Sequence, residues 1–383
     1  MGPERHLYSS VPASLRMKLP SWAHAPHISP EHKLLVCHET SQTDASRGSL
    51  GWGFQTACWQ YSLRNMLFHL FTLSFTPTSV PTITIAPGVK MPLAGVGTWQ
   101  YNATVAERVV AEALGLGYRH VDTALNYHNQ DGVGRAIAAA IDGSRLTRRD
   151  LFLVSKIPGG LNHSAASAAL ETSLAQLFPK ATGAYVDLML VHFPATWAGA
   201  GGKAARQEEW SALEAFVKEG KARAIGVSHY CRRHLDDILE IATIRPAVNQ
   251  VQYHVGMGAA GPLADDDMAY MRSKGVTFEG FSPLCGPCGG ANATELISGA
   301  LVSRIGRKHG KSGAQVALRW QVQQGIPVIP KSKDLAHLRE NIDLFSWALD
   351  ADDMAALSAA TKPAVSGATS PGGEPVSGDC SVA

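Results

Sequence analysis

Between residues 94 and 330 the chain repeats one unit: a short apolar run of strand length, a turn, and an amphipathic stretch of helix length. A connection of that length carries the chain to a parallel neighbouring strand, whereas an antiparallel hairpin needs only a few residues. The alternation predicts an α/β protein whose parallel sheet is covered by helices. Candidate strands are 94–98, 119–124, 151–156, 186–192, 222–228, 247–252, 276–281 and 326–330. Candidate helices lie near 103–116, 130–142, 163–178, 207–219, 231–242, 263–274, 296–309, 313–325, 334–342 and 350–361. Eight strands, each followed by a helix, predict a (β/α)8 TIM barrel. An open doubly wound sheet is the alternative. It normally carries a glycine fingerprint after its first strand, and here that strand runs into Gly97-Thr98-Trp99-Gln100-Tyr101.

Ahead of the barrel, Thr82-Ile83-Thr84-Ile85 alternates, Pro87-Gly88 turns the chain and Met91-Pro92-Leu93 follows, which predicts a capping β-hairpin. Residues 1–80 show no sustained period and many Pro, Ser and His, and residues 363–383 are rich in Pro, Gly and Ser. Both read as disordered extensions flanking a barrel domain at 81–362. Residues 1–50 have few acids and several Ser, Arg and His, so organelle targeting is one reading and a non-native start another. Without a positive cluster leading directly into an apolar core, a secretory signal is not expected, and a cytoplasmic location is the default.

The formal net charge of +2 over 383 residues gives no basic stripe for nucleic acid. The most apolar segment, Met66 to Phe75, is too short to span a bilayer and contains His69. Cys37, Cys58, Cys231, Cys285, Cys288 and Cys380 are scattered, which suggests a reducing compartment rather than a disulfide framework. A monomer acting on a small molecule is expected.

Polar residues at strand ends point to chemistry. Asp122 ends His120-Val121-Asp122, with Tyr127 five residues on; Lys156 ends Leu151–Lys156; His192 ends Val186–His192. Such positions serve packing poorly and serve a site at the carboxyl edge of a barrel well. A lysine ammonium next to a phenol makes the phenol a better acid, so that it can pass a proton at neutral pH. Taken singly, each residue has a structural reading: a turn aspartate, a packing tyrosine, a snorkelling lysine, a satisfied core histidine.

With Gly95-Val96-Gly97-Thr98-Trp99, Gly117–Ala124, Val154-Ser155-Lys156, Leu190-Val191-His192, Gly220–Ser228, Pro246–Gln250, Phe281-Ser282-Pro283-Leu284, Ile329–Ser332 and Glu340-Asn341 in order, the chain from about 82 to 361 resembles the aldo-keto reductase family. The resemblance implies a TIM barrel that binds NADPH, with NADH a second candidate, and reduces aldehydes or ketones. The family's tetrad maps onto Asp122, Tyr127, Lys156 and His192. The same resemblance implies that Ser228 and Gln250 hold the nicotinamide carboxamide, and that Phe281, in place of the usual Tyr, stacks on the ring. It further implies Ser282 and Leu284 at the pyrophosphate, Lys331 and Ser332 at the 2′-phosphate, and Glu340 and Asn341 at adenine. Trp99, Phe193 and Trp197 match the substrate pocket.

The chain departs from the family in places. His229 replaces Asn beside Ser228, Gln130 stands where Glu is common, and His337 occupies the place of an Arg that grips the 2′-phosphate. A neutral imidazole lacks the guanidinium fork, so a weaker NADPH preference is expected. The glycines of loop 193–206 suggest mobility, and the tail lacks aromatic anchors, which suggests an open pocket with loose selection.

Other motifs compete. Cys285-Gly286-Pro287-Cys288 has thioredoxin-like spacing but follows a cofactor-loop segment in the wrong fold. Gly310-Lys311-Ser312 lacks the upstream glycine of a P-loop and reads as a helix junction. No metal site is expected, because no second cysteine pair follows at zinc spacing. The alternatives to a reductase are a non-catalytic nucleotide-binding barrel acting as a regulatory subunit, and a thiol redox protein using Cys285 and Cys288.

Overall fold

The computed structural model describes residues 33–42, 53–62, 79–143, 146–179, 183–196, 199–256, 264–285 and 291–360. Residues 1–76 and 77–383 form separate units. In the first, β1 (Lys33–Gln42) pairs antiparallel with β2 (Gly53–Ser62), Val36 opposite Trp59. Neither strand is among those expected from the sequence. Thr, Val, Phe, Trp and Tyr give them strand propensity without strict alternation. The remainder of that extension, and the C-terminal tail, lie outside the described residues.

The second unit opens with the hairpin β3 (Thr82–Ala86) and β4 (Val89–Pro92). Gly88, at φ 72°, makes the turn in the left-handed region. Then follow β5 (Val96–Gly97), β6 (His120–Asp122), β7 (Phe152–Ile157), β8 (Val186–Val191), β9 (Ala222–Ser228), β10 (Val248–Gln252) and β11 (Thr277–Phe281) in one parallel sheet whose order is the chain order. The eighth predicted strand appears as a single bridging residue. Val328 pairs in parallel with both Ala94 and Gly280, and its neighbourhood is stitched by Gly95 N to Val328 O at 2.9 Å and Gly280 N to Pro327 O at 2.9 Å. The sheet thereby closes on itself as the predicted (β/α)8 barrel.

Period-two alternation sorts the strand residues. Val121, Leu153, Met189, Val191, Ile225, Val227 and Val251 join the outer core beneath the helices. Phe152, Val154, Leu188, Leu190, Ala224 and Val248 point inward and pack on Ile85, Val89 and Met91 of the hairpin, which seals the barrel floor. Met91 is wholly buried there, worth roughly 1.5–3 kcal/mol.

Helices fall close to prediction, with one difference. The single helix expected over 296–309 is two, Ala291–Ser298 and Ala300–His309, parted at Gly299. A Cβ on Gly299 would lie 2.4 Å from the Glu295 carbonyl, so the break requires glycine. Gly310, at φ 65°, ends the second helix and Ser312 caps the helix Gly313–Gln323, so that motif is a helix junction. Among the described residues no helix is long and apolar enough to cross a membrane.

Candidate active site

Parallel pairing places the ends of β6, β7 and β8 at one rim. Asp122 is the last residue of β6, Lys156 lies next to last on β7, and His192 directly follows β8. Tyr127 closes the one-turn 3-10 helix Leu125–Tyr127 that leaves β6. All four sequence-predicted residues meet. Lys156 Nζ donates to Asp122 Oδ1 at 2.5 Å, to the Thr123 carbonyl at 3.1 Å and to Tyr127 Oη at 3.4 Å. Its three N–H donors thus have three acceptors. Burial disfavours the ammonium, but Asp122 and Tyr127 outweigh it and hold Lys156 above the ordinary lysine range.

His192 stands edge-on to Tyr127, ring centroids 5.5 Å apart and planes at 73°. Burial, then the Lys156 ammonium and the neighbouring His229, push its pKa well below the usual value, so the imidazole is neutral. Its Nδ1 is buried without a hydrogen-bond partner.

Beneath these groups the interior stays polar. Gln250 Nε2 donates to Asp122 Oδ2 at 2.9 Å and to Glu279 Oε2 at 3.0 Å. Two buried carboxyl oxygens thus engage both hydrogens of the Gln250 amide. Glu279 is wholly buried and pushed up to about 8, by burial and by the charge of Asp122.

At the mouth a row of rings lies across the carboxyl ends. His192 stacks on Phe193 at 4.3 Å, Phe193 meets His229 at 4.5 Å, and His229 meets Phe281 at 4.7 Å. His229 Nδ1 lies 3.0 Å from the His192 carbonyl and 2.9 Å from Ser228 Oγ, which donates to the Gln250 carbonyl at 2.8 Å. His229 holds φ 61°, a left-handed conformation that His, like Asn and Asp, adopts more readily than most side chains. Ser282 is half-buried at φ 47°, with Leu284 two residues on. Lys331 Nζ is drawn to Gln100 Oε1 at 2.7 Å and the Trp99 carbonyl at 3.0 Å, 4.9 Å above the Trp99 ring. Burial, then Lys333, lower its pKa. Ser332 Oγ accepts from the Asp334 amide at 3.1 Å; His337 is exposed, Glu340 half-buried and Asn341 buried. Gln130, wholly buried, binds Ser155 and Ser173, which gives that departure a packing role. Trp197 lies outside the described residues.

Besides Glu279, three further groups escaped sequence reasoning. Arg206, buried, binds Asp237 Oδ2 at 2.6 Å and 3.0 Å and the Pro194 carbonyl at 3.1 Å. This anchors the loop after His192, whose glycines had suggested mobility. Glu209 takes the Leu161 amide at 2.5 Å, and burial pushes it up to about 8. His120 sits under Asp122. A charged letter in a helix or strand does not announce which face it occupies; the inward phase of His120 and Asp122, set by Val121 between them, was the available signal. Cys285 is buried and, like Cys231, disulfide-bonded; Cys288 lies outside the described residues.

A sequence model of the Aldo/keto reductase family matches residues 93–362. The glyoxal reductase of Bacillus subtilis (strain 168) is 36% identical over 289 residues, covering 75% of this chain and 95% of that protein. The NAD(P)H-dependent D-xylose reductase of Scheffersomyces stipitis is 34% identical over 304 residues, covering 72% and 92%. A crystal structure of a Bombyx mori aldo-keto reductase in complex with NADP superposes with TM-score 0.66 at 26% identity, covering 75% of this chain and 95% of that one.

Proposed function

The chain belongs to the aldo/keto reductase family, and we propose that it reduces aldehydes and ketones with NADPH, Tyr127 acting as the proton donor. The observation that carries this reading is the buried Lys156 ammonium, set between Asp122 Oδ1 at 2.5 Å and Tyr127 Oη at 3.4 Å.

The mouth fits a nicotinamide. Phe281 and His229 offer flat faces at the rim, and His192 leaves a buried polar nitrogen there without a partner. Ser228, His229, Gln250 and Phe281 would hold the nicotinamide, Ser282 and Leu284 the pyrophosphate, and Lys331, Ser332 and His337 the 2′-phosphate. Glu340 would meet adenine, with buried Asn341 bracing that end. When bound, the reduced nicotinamide supplies the hydride.

The protein's own groups supply the proton and the field. As negative charge grows on the carbonyl oxygen, Tyr127 Oη gives up its proton to it. The Lys156 ammonium stabilises the phenolate left behind, in a buried setting where charge interactions are stronger than in water. Asp122 keeps that ammonium in place. His192, neutral, carries one N–H and can orient the carbonyl oxygen without competing as an acid. Trp99, Phe193 and Trp197 would line the substrate side, an aromatic set suited to a range of aldehydes.

Oxidation of NADPH with an aromatic aldehyde tests the reading. Tyr127→Phe should lower kcat by roughly 10²–10⁴-fold while NADPH binding, read by fluorescence titration, stays unchanged. A wild-type protein that binds NADPH yet turns over no aldehyde or ketone in a broad panel would make it a binding barrel rather than an enzyme.

A further inference from the structure

The polar interior does not stop at Asp122. His120 Nδ1 lies 3.1 Å from the Pro92 carbonyl on the hairpin. A carbonyl only accepts, so Nδ1 carries the ring hydrogen. Burial brings the His120 pKa down to about 4, against the raising influence of Asp122, so the ring is neutral and its Nε2 is a bare lone pair. Facing it at 3.7 Å is Glu279 Oε1. Both atoms are buried and neither has another hydrogen-bond partner. Two lone pairs facing one another in a dry interior repel, whereas one proton on Oε1 satisfies both atoms after a small closure of the gap. The second carboxyl oxygen, Oε2, accepts from Gln250, which also grips Asp122.

We propose that Glu279 is a neutral acid sharing its proton with His120 and that, through Gln250, it fixes Asp122 where Asp122 can hold Lys156; it is a positioning residue for carbonyl reduction. The proposal rests on the reading of Tyr127 and Lys156 given above. The groups that face Glu279 agree with it. His120 and Asp122 come from β6, Lys156 from β7, Gln250 from β10, and the Pro92 carbonyl from β4 backs His120. A charged Glu279 would set two carboxylates against the single Lys156 ammonium. At alkaline pH, loss of its proton adds that second negative charge. The added charge draws the Lys156 proton tighter and makes Tyr127 a weaker donor, so reduction falls.

The test uses the full chain saturated with NADPH and compares wild type with Glu279→Gln and Glu279→Ala. An infrared difference spectrum between wild type and Glu279→Gln at pH 7 should show the C=O stretch of a protonated carboxylic acid, lost as pH rises past 8. This readout needs no turnover, so it stands apart from any failure of the reductase reading. Glu279→Gln, whose amide donates to His120 and accepts from Gln250, should keep kcat within about threefold and hold activity to higher pH than wild type. Glu279→Ala should lose roughly tenfold or more in kcat with NADPH affinity unchanged. Absence of the carboxylic acid band overturns the proposal. So does a Glu279→Gln profile with the wild-type alkaline limb, which decides the matter even if the alanine variant does not fold.

Discussion

Asp187, wholly buried on β8, takes Arg148 at 2.7 Å, Arg223 at 2.8 Å and the Leu153 amide at 2.9 Å. One carboxylate thus ties β8 to both neighbouring strands. Asp187→Ala leaves two guanidinium groups and an amide without that partner, and should cost roughly 3 kcal/mol, as breaking a buried pair does. Urea unfolding at pH 7 measures it; a loss near zero would mean the arginines find water instead. At this scale the tetrad was legible, since Asp122, Tyr127, Lys156 and His192 sit at or just beyond strand ends. Glu279 and His120 were not. A mid-strand acid looks the same in sequence whether it faces helices or the barrel axis, and only the closed register shows it beneath Asp122.

Among the elements, the start of the loop after β8 is held by the helix Lys203–Lys218. Arg206 reaches back from that helix to the Pro194 carbonyl, two residues past His192. Its fork also grips Asp237, which lysine cannot reproduce. Arg206→Lys should therefore raise aldehyde KM by roughly 3–10-fold with a smaller change in kcat; steady-state kinetics read the split, and unchanged KM would show the loop holds without the clamp. Strand and helix positions were readable from period and turns. The division at Gly299 was not, because the apolar spacing continues through it and only the crowding at Glu295 demands the break. The first hairpin was missed because β1 and β2 mix apolar and polar residues without alternation.

For the whole molecule, buried acids and buried histidines pull stability in opposite directions with pH. Glu209 and Glu279, held at about 8, stay protonated in the fold at pH values where the unfolded chain has released those protons. Their contribution is full below the unfolded carboxylate pKa and is lost as pH rises toward 8. His120, held at about 4, acts the other way: its contribution is present above the unfolded histidine pKa and is lost as pH falls toward 4. Glu209→Gln removes one acid slope, and its stability relative to wild type should improve by about 1.4 kcal/mol per pH unit between pH 6 and pH 8. Urea titrations at the two pH values check this, and parallel curves would contradict it. Closure of the barrel has its own reach. Ala94 and Gly280 both pair with Val328, so rows of amides and carbonyls that an open sheet would show to passing chains are turned upon each other. The two outermost strands then present no template for another molecule to extend, and a single valine's backbone helps guard the protein against aggregating edge to edge.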